Sequence, residues 1–463
     1  MKSPLHVAGS QRTAKRVIAT AMHRPLRTVT HVERRLPPQL AQAPSVDQHV
    51  VYIPEAMPPG VRANERHTVR VGYVMDRFPR ETHSFVIQEI LELESRGIDV
   101  HVFSLGMPDG RLDDTARALA HLQRPVCFYF ADAEAGDSVP DGTTFAADCI
   151  ASELTGSGMT SRAAHWIARQ VAARRIAHLH AHGAAVATEV VREAGRLTGL
   201  GYSFTAYAHD VHNGAAPSLR EKVLQAQFAV TLSDFDHGRL IRICGRGAAG
   251  KLHRIPISVN PEECRFSEAE SHDPDSILTV GPLVEKSGFT DLIEAVRILR
   301  DGGRVARLTI LGEGEFEEAL RARIDRCRLA SSVQLMGGVS RRELAMLMRT
   351  HTVMVLPWAA DGDRDMLAYL VLEAMAAGIL VLSTDVPSIR ELIDDGLSGR
   401  VISPRDPVGL AGALETFFDS PQLRESMTWN ARTNVELMFT ARRNVSYLAS
   451  LFGGAVAGRP LAN

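Results

Sequence analysis

Apolar and polar positions alternate along Val69-Arg70-Val71-Gly72-Tyr73-Val74, and the β-branched residues among them predict a strand. Phe85–Arg96 carries its apolar side chains at helical spacing and stops at Gly97, and Ile98–Phe103 returns to a strand pattern. Strand, helix, strand implies a parallel sheet. The alternation continues with a helix over Ala163–Ala177, a strand edge over 178–183, short buried strands at Tyr202–Ala206 and Ala229–Leu232, and a helix over Ser218–Gln225. A second series opens near Ser276. It predicts strands over 277–281, Ala306–Leu311, Val333–Met336, 353–357 and Leu380–Ser383. Its helices are predicted over Phe289–Arg300, Glu315–Cys327, Arg341–Arg349 and Leu370–Ala377, the last closed by Gly378. The connections are short, as α/β units require. The fold class is therefore α/β, with two halves that each hold a parallel sheet and a hinge near Pro256–Phe266. Ligands of open parallel sheets sit at the carboxyl ends of the strands, so the cleft between the halves is the expected site.

The expected organisation is an extension over 1–66, a first domain over 67–260, a second over 261–430, a last helix over 431–452 and a flexible tail over 453–463. Before position 40 the extension sets Lys2, Arg12, Lys15, Arg16, Arg24, Arg27, Arg34 and Arg35 against Glu33 alone, and prolines follow from Pro37 to Pro59. It reads as an irregular leader, with contact to an anionic membrane or a partner as the alternative. Over all 463 residues, 45% are hydrophobic and 23% charged, which excludes a chain disordered throughout. A net charge of -2 gives no bulk attraction for nucleic acid. The five cysteines include no C-x2-C pair, so neither a disulfide framework nor a structural zinc site is expected. No stretch approaches the ~18 apolar residues of a membrane span, and no secretory signal is legible. The expected compartment is the cytoplasm, with peripheral contact to the inner membrane left open.

Glu373 stands on an otherwise apolar helical stretch, where a carboxylate is costly unless it meets hydrogen-bond donors such as sugar or ribose hydroxyls. Upstream, Asp361-Gly362-Asp363-Arg364-Asp365 follows a strand end and reads as a ligand-facing loop, in which Arg364 argues against a dedicated cation site. Gly312 and Gly314 follow a strand and would let the backbone approach a ligand closely. Lys286 lies between a strand ending at Gly281 and the next helix, where it could hold a phosphate. In the first half, His209 and Asp210 follow a strand and could act as acid, base or hydroxyl binder. His178, His180 and His182 share one face of a strand, with no carboxylate or cysteine nearby in sequence to make a metal site. Neither the full G-x-G-x-x-G pattern nor a Walker loop is present, so no dinucleotide cofactor is expected.

These blocks resemble the retaining glycosyltransferases of the GT-B fold, the large group that includes sucrose synthase, glycogen synthase and bacterial polysaccharide transferases. The resemblance runs over about 69–450. It rests on Phe78-Pro79 with Thr82-His83-Ser84-Phe85 and Glu89-Ile90, on 204–210, on 255–259, on 280–292, and on Asp361–Gly378, Ser383-Thr384-Asp385 and Glu391–Gly399. It implies two Rossmann-like domains, a nucleoside-diphosphate sugar held by the second and a saccharide, lipid-linked saccharide or natural-product acceptor held by the first. The implied reaction is transfer with retention, without metal or cofactor. By resemblance, the donor-binding positions are Gly281, Lys286, Ser287, Gly312, Gly314, Arg364, Met366, Leu367 and Arg390, and the catalytic ones are Glu373, Asp365, His209 and Asp210. The sequence departs from the pattern in places. The diphosphate-clamping arginine and lysine are Pro282 and Ser287, the first-domain histidine is Tyr207, the glycine-rich segment is Met366-Leu367-Ala368-Tyr369, and a later Gly and Pro are Ser388 and Arg390. Asp365 and Glu373 keep the E-x7-E spacing, with Asp in first place. Lys286, Arg364 and Arg390 are the candidate replacement cations. The alternative expectation is a catalytically silent relative that serves as a binding or scaffolding partner of an active transferase.

Overall fold

The computed structural model describes residues 69–80, 84–108, 121–129, 157–264, 273–359 and 364–458, together with the backbone of Val50–Val51. The remainder of the leader, Thr82 and His83, Cys149, the Asp361-Gly362-Asp363 loop and residues 459–463 fall outside the described residues.

The first lobe is built on β1 (Val50–Val51), β2 (Arg70–Met75), β3 (Asp99–Ser104), β4 (Cys127–Phe128), β5 (His178–His182), β6 (Tyr202–Ala206), β7 (Phe228–Thr231) and β8 (Leu252–Arg254). Their order across the sheet is β1-β4-β3-β2-β5-β6-β7-β8, and only β1 runs antiparallel. The helices of this lobe are α1 (Ser84–Ser95), α2 (Ser157–Arg174), α3 (Val186–Thr198), α4 (Ala208–Asn213), α5 (Ala216–Gln225) and α6 (Asp234–Cys244). The second lobe has β9 (Asp273–Val280), β10 (Arg307–Leu311), β11 (Val333–Leu335), β12 (His351–Leu356), β13 (Leu380–Thr384) and β14 (Arg400–Ile402), in the all-parallel order β11-β10-β9-β12-β13-β14. Its helices are α7 (Phe289–Asp301), α8 (Glu317–Arg326), α9 (Arg341–Met348), α10 (Arg364–Ala377), α11 (Pro407–Asp419) and α12 (Pro421–Met438). Central strands such as β6, β7 and β13 are buried along their whole length, as a sheet covered by helices on both faces demands.

Two elements differ from the sequence reading. The helix expected from Leu370 begins six residues earlier, at Arg364. Arg364–Ala377 contains no glycine or proline and is rich in Leu, Ala and Met, so nothing halts the helix before the loop. Glu373 therefore lies in the third turn. The last helix expected over 431–452 is two helices. Val259 N donates to the Phe439 carbonyl at 2.9 Å, and this pairing of the interlobe linker with Phe439–Ala441 splits them. The second of them, α13 (Ala441–Ala457), extends into the segment expected to be a frayed tail. It returns to the first lobe, where the wholly buried Phe452 meets the rings of Tyr73 and His178 at 6.1 and 5.6 Å. One apolar cluster consequently crosses both lobes, from Tyr73 and Phe85 through Trp358 and Leu367 to α13.

Candidate active site

The carboxyl ends of β9, β10, β11 and β12 are knit into one rim. Gly281 N donates to the Leu311 carbonyl (3.0 Å), Leu283 N to that of Glu313 (2.9 Å), and Gly312 N to that of Gly337 (2.8 Å). Ala359 N, past the end of β12, donates to the Lys286 carbonyl (2.9 Å). Gly312 and Gly314 serve this knitting. A Cβ on Gly312 would lie 1.9 Å from the Gly281 carbonyl oxygen, and one on Gly314 2.4 Å from that of Leu283. The close approach they permit in the structure is between two loops of the protein. Gly288 plays the same part at φ +74, with the Pro357 oxygen 1.7 Å from where its Cβ would stand.

The positions singled out around the donor cleft take up loop work. Ser287 is fully buried, and its Oγ donates to the Pro282 carbonyl at 2.6 Å, so its hydroxyl closes the turn. Lys286 is exposed, and its ammonium has no partner among the described residues. Arg390 is committed to Asp385 by two bonds of 2.8 and 2.9 Å. Both line a groove of about 620 Å³ along β14, α11 and α12. Leu367 is buried in the shared core with Tyr369, and Met366 packs against that core half-buried, so the segment 366–369 is largely packing. Arg364 is the first residue of α10.

Asp365 and Glu373 are separated by about 12 Å along the axis of one helix, by the rise per residue. They consequently serve different places. Asp365 Oδ2 accepts from Ala208 N at 2.8 Å, across the lobes, at the first residue of α4. It lines an interlobe cavity of about 20 Å³ with Ser233, Arg254, Ser388 and Glu391, room for about one water. Glu373 is paired with Arg341, at the start of α9, and Arg341 also donates to the Tyr369 hydroxyl (2.9 Å). Burial pushes the Glu373 carboxyl above its ordinary value, and Arg341 opposes the rise. The spacing of the two acids gave no hint of Arg341, a surface-type residue opening a helix after Ser340.

In the first lobe His209 is exposed and lies 3.2 Å from Asp210. Asp210 is buried, and its Oδ2 accepts from Tyr207 N (2.9 Å) and Ala184 N (2.8 Å), so it ties two loops together. The three histidines of β5 do share a face, and it is buried. His178 and His180 both meet Ser203 Oγ, at 2.7 and 2.8 Å, and His182 Nδ1 meets the Tyr207 hydroxyl at 3.0 Å. Glu89 reaches His182 Nε2 at 3.2 Å and accepts from Tyr73 at 2.7 Å. Burial drives the pKa of His178 down to about 3 and that of His180 well below its ordinary value, so both imidazoles are neutral. Among the described residues no group of three or more His, Cys, Asp and Glu side chains is placed to hold a metal ion. No helix of the described residues is long and apolar enough to cross a membrane.

Residues 260–434 match the family model of glycosyl transferases group 1. The Escherichia coli K12 glycosyltransferase named for colanic acid biosynthesis, WcaL, is 27% identical over 83% of this chain and 99% of its own length. The amylovoran biosynthesis glycosyltransferase AmsK of Erwinia amylovora is 31% identical over 44% of this chain and 51% of its own. Among solved structures, Anabaena HepE in complex with UDP and glucose superposes with a TM-score of 0.65 at 14% identity, over 82% of this chain and 98% of that one. The protein is a GT-B glycosyltransferase. It is related to the transferases of the colanic acid, amylovoran and glycogen synthase type, which draw a sugar from a nucleoside-diphosphate donor and pass it to an acceptor. The GT-B architecture is the observed one, with two Rossmann-like lobes whose parallel sheets face each other.

Proposed function

We propose that this GT-B enzyme transfers a sugar with retention from a nucleoside-diphosphate sugar to a hydroxyl of a saccharide or lipid-linked saccharide, and does so with an altered diphosphate clamp. The anomeric carbon loses its bond to the diphosphate oxygen and gains one to the acceptor oxygen on the same face, and the acceptor proton leaves with the diphosphate. The rim of the second lobe would hold the donor. Lys286, exposed on that rim, would face the charge that develops on the leaving diphosphate, a contribution that grows in the transition state. Pro282 supplies no N–H and no charge at the position of the usual arginine. Glu373 would accept hydroxyl hydrogen bonds from the donor, and Asp365 and His209 would meet the sugar from the two sides of the cleft. With a lipid-linked acceptor the protein would work at a membrane surface.

The observation that carries this reading is the placement of Asp365 on the interlobe wall and Glu373 on the same helix beside the knitted rim. The test is calorimetry of the full chain against UDP and GDP, followed by a product assay with a panel of nucleotide sugars. Saturable binding and turnover by the purified protein are expected, and no binding at millimolar nucleotide would refute it. One observation favours a second reading, a silent binding partner of an active transferase. The lobes are shut on each other around a cavity of about 20 Å³, with the Phe85 and Tyr369 rings meeting across them at 6.2 Å. Nucleotide binding without turnover, restored by a co-purified transferase, would favour that reading.

A further inference from the structure

We infer that Arg341 is the positioning residue for Glu373, fixing one carboxylate oxygen so that the other stays available to a pair of donor hydroxyls. The inference rests on the donor-binding reading above and names the group that makes its carboxylate work.

Three features carry it. Arg341 Nη2 donates to both Glu373 Oε1 and the Tyr369 hydroxyl, the latter at 2.9 Å, and the guanidinium lies 5.2 Å over the Tyr369 ring. Tyr369 and Glu373 are one helical turn apart on α10, so both grip the same cation from one face. The backbone of Arg341 is set independently. Ser340 caps α9 by accepting from Glu343 N, Glu343 returns a bond to Ser340 N, and Arg341 is the first helical residue after them. Glu373 Oε2 has no partner among the described residues, and the Arg341 side chain keeps 46% of its surface exposed. A site with one oxygen anchored and one free suits a vicinal diol, the group that a ribose presents.

The surroundings make the pairing necessary. Glu263 and Cys264 of the interlobe linker approach Glu373, Arg432 of α12 lies beside Cys264, and Tyr369 shares its helix. Glu263 carries like charge and burial penalises the ion, so Arg341 is the group in contact that favours the charged form of Glu373. A buried carboxylate stripped of its cation takes up a proton more readily than it stays unpaired.

The experiment compares whichever of UDP and GDP binds with its 2′-deoxy counterpart, by calorimetry at about pH 6 and about pH 9, on the wild type, Arg341→Met and Arg341→Lys. The wild type should favour the ribonucleotide by about 10-fold at both pH values. Arg341→Met should lose that preference at the lower pH and regain part of it at the higher, and Arg341→Lys should keep most of it. An Arg341→Met protein that retains the wild-type preference at the lower pH overturns the inference. A second measurement needs no nucleotide. In ¹³C-glutamate NMR, with the signal assigned through Glu373→Gln, the Glu373 carboxyl should titrate at higher pH in Arg341→Met than in the wild type. An unchanged titration overturns the pairing. Failure of the wild type to bind either nucleotide overturns the donor-binding reading instead, so the two failures are separable.

Discussion

At the residue scale, several side chains in the site are spent on the protein itself. Ser287 closes its own turn, Asp210 ties two loops, and Arg390 is bound to Asp385. Lys286 keeps its charge unspent, and that makes it the informative substitution. Lys286→Ala should leave the melting temperature unchanged and lower kcat/KM by about 10²-fold, the usual loss when one stabilising group is removed from a transition state; steady-state product assays check it. Titration offers a second residue-scale prediction. Burial raises the Glu94 carboxyl from 4.5 to about 7. The folded protein then holds a proton that the unfolded chain has released, so this group's stabilisation is complete below about pH 4.5 and is lost as pH rises through about 7. Glu94→Gln should flatten that decline, which urea unfolding at about pH 5 and about pH 8 would show.

Elements explain what was legible in the sequence and what was not. Strands such as Ile277–Val280 and Val353–Leu356 announce themselves because both faces are buried and the run is apolar. The start of α10 did not, because Asp361-Gly362-Asp363-Arg364-Asp365 has the composition of a turn while the helix is already under way at Arg364. Arg341 was missed for a different reason. Its partner is 32 residues away and on another helix, and no periodicity reports such a meeting. The same holds for Glu391, whose carboxylate accepts from Asp234 N (2.7 Å) and Phe235 N (3.0 Å), the first two amides of α6. Ser233 takes the next, its Oγ accepting from Asp236 N, so the first three helical amides, which the helix itself leaves unbonded, are satisfied. Two of these three bonds come from the other lobe. Glu391→Ala should therefore cost about 1 kcal/mol in urea unfolding and also enlarge the radius of gyration measured by small-angle scattering.

For the whole molecule, the two sheets were readable and the path of the chain end was not. Residues 441–457 carry an amphipathic pattern that says helix and does not say against which lobe it lies. The structure places α13 on the first lobe, so the last helix of the chain completes the core of the first sheet. Phe452→Ala should destabilise the protein by about 3–5 kcal/mol, as loss of a fully buried ring does. The effect should appear as faster hydrogen exchange in β2 and β5 of the first lobe before any change in the second lobe's sheet.

Glu391 occupies a spot that would otherwise welcome any small oxyanion, the exposed start of α6 with its amides and positive dipole end. While the jaws are shut, that berth is filled from within. The positive end of α6 is thus neutralised by a carboxylate carried on the opposite lobe, which makes the helix terminus a latch between the two.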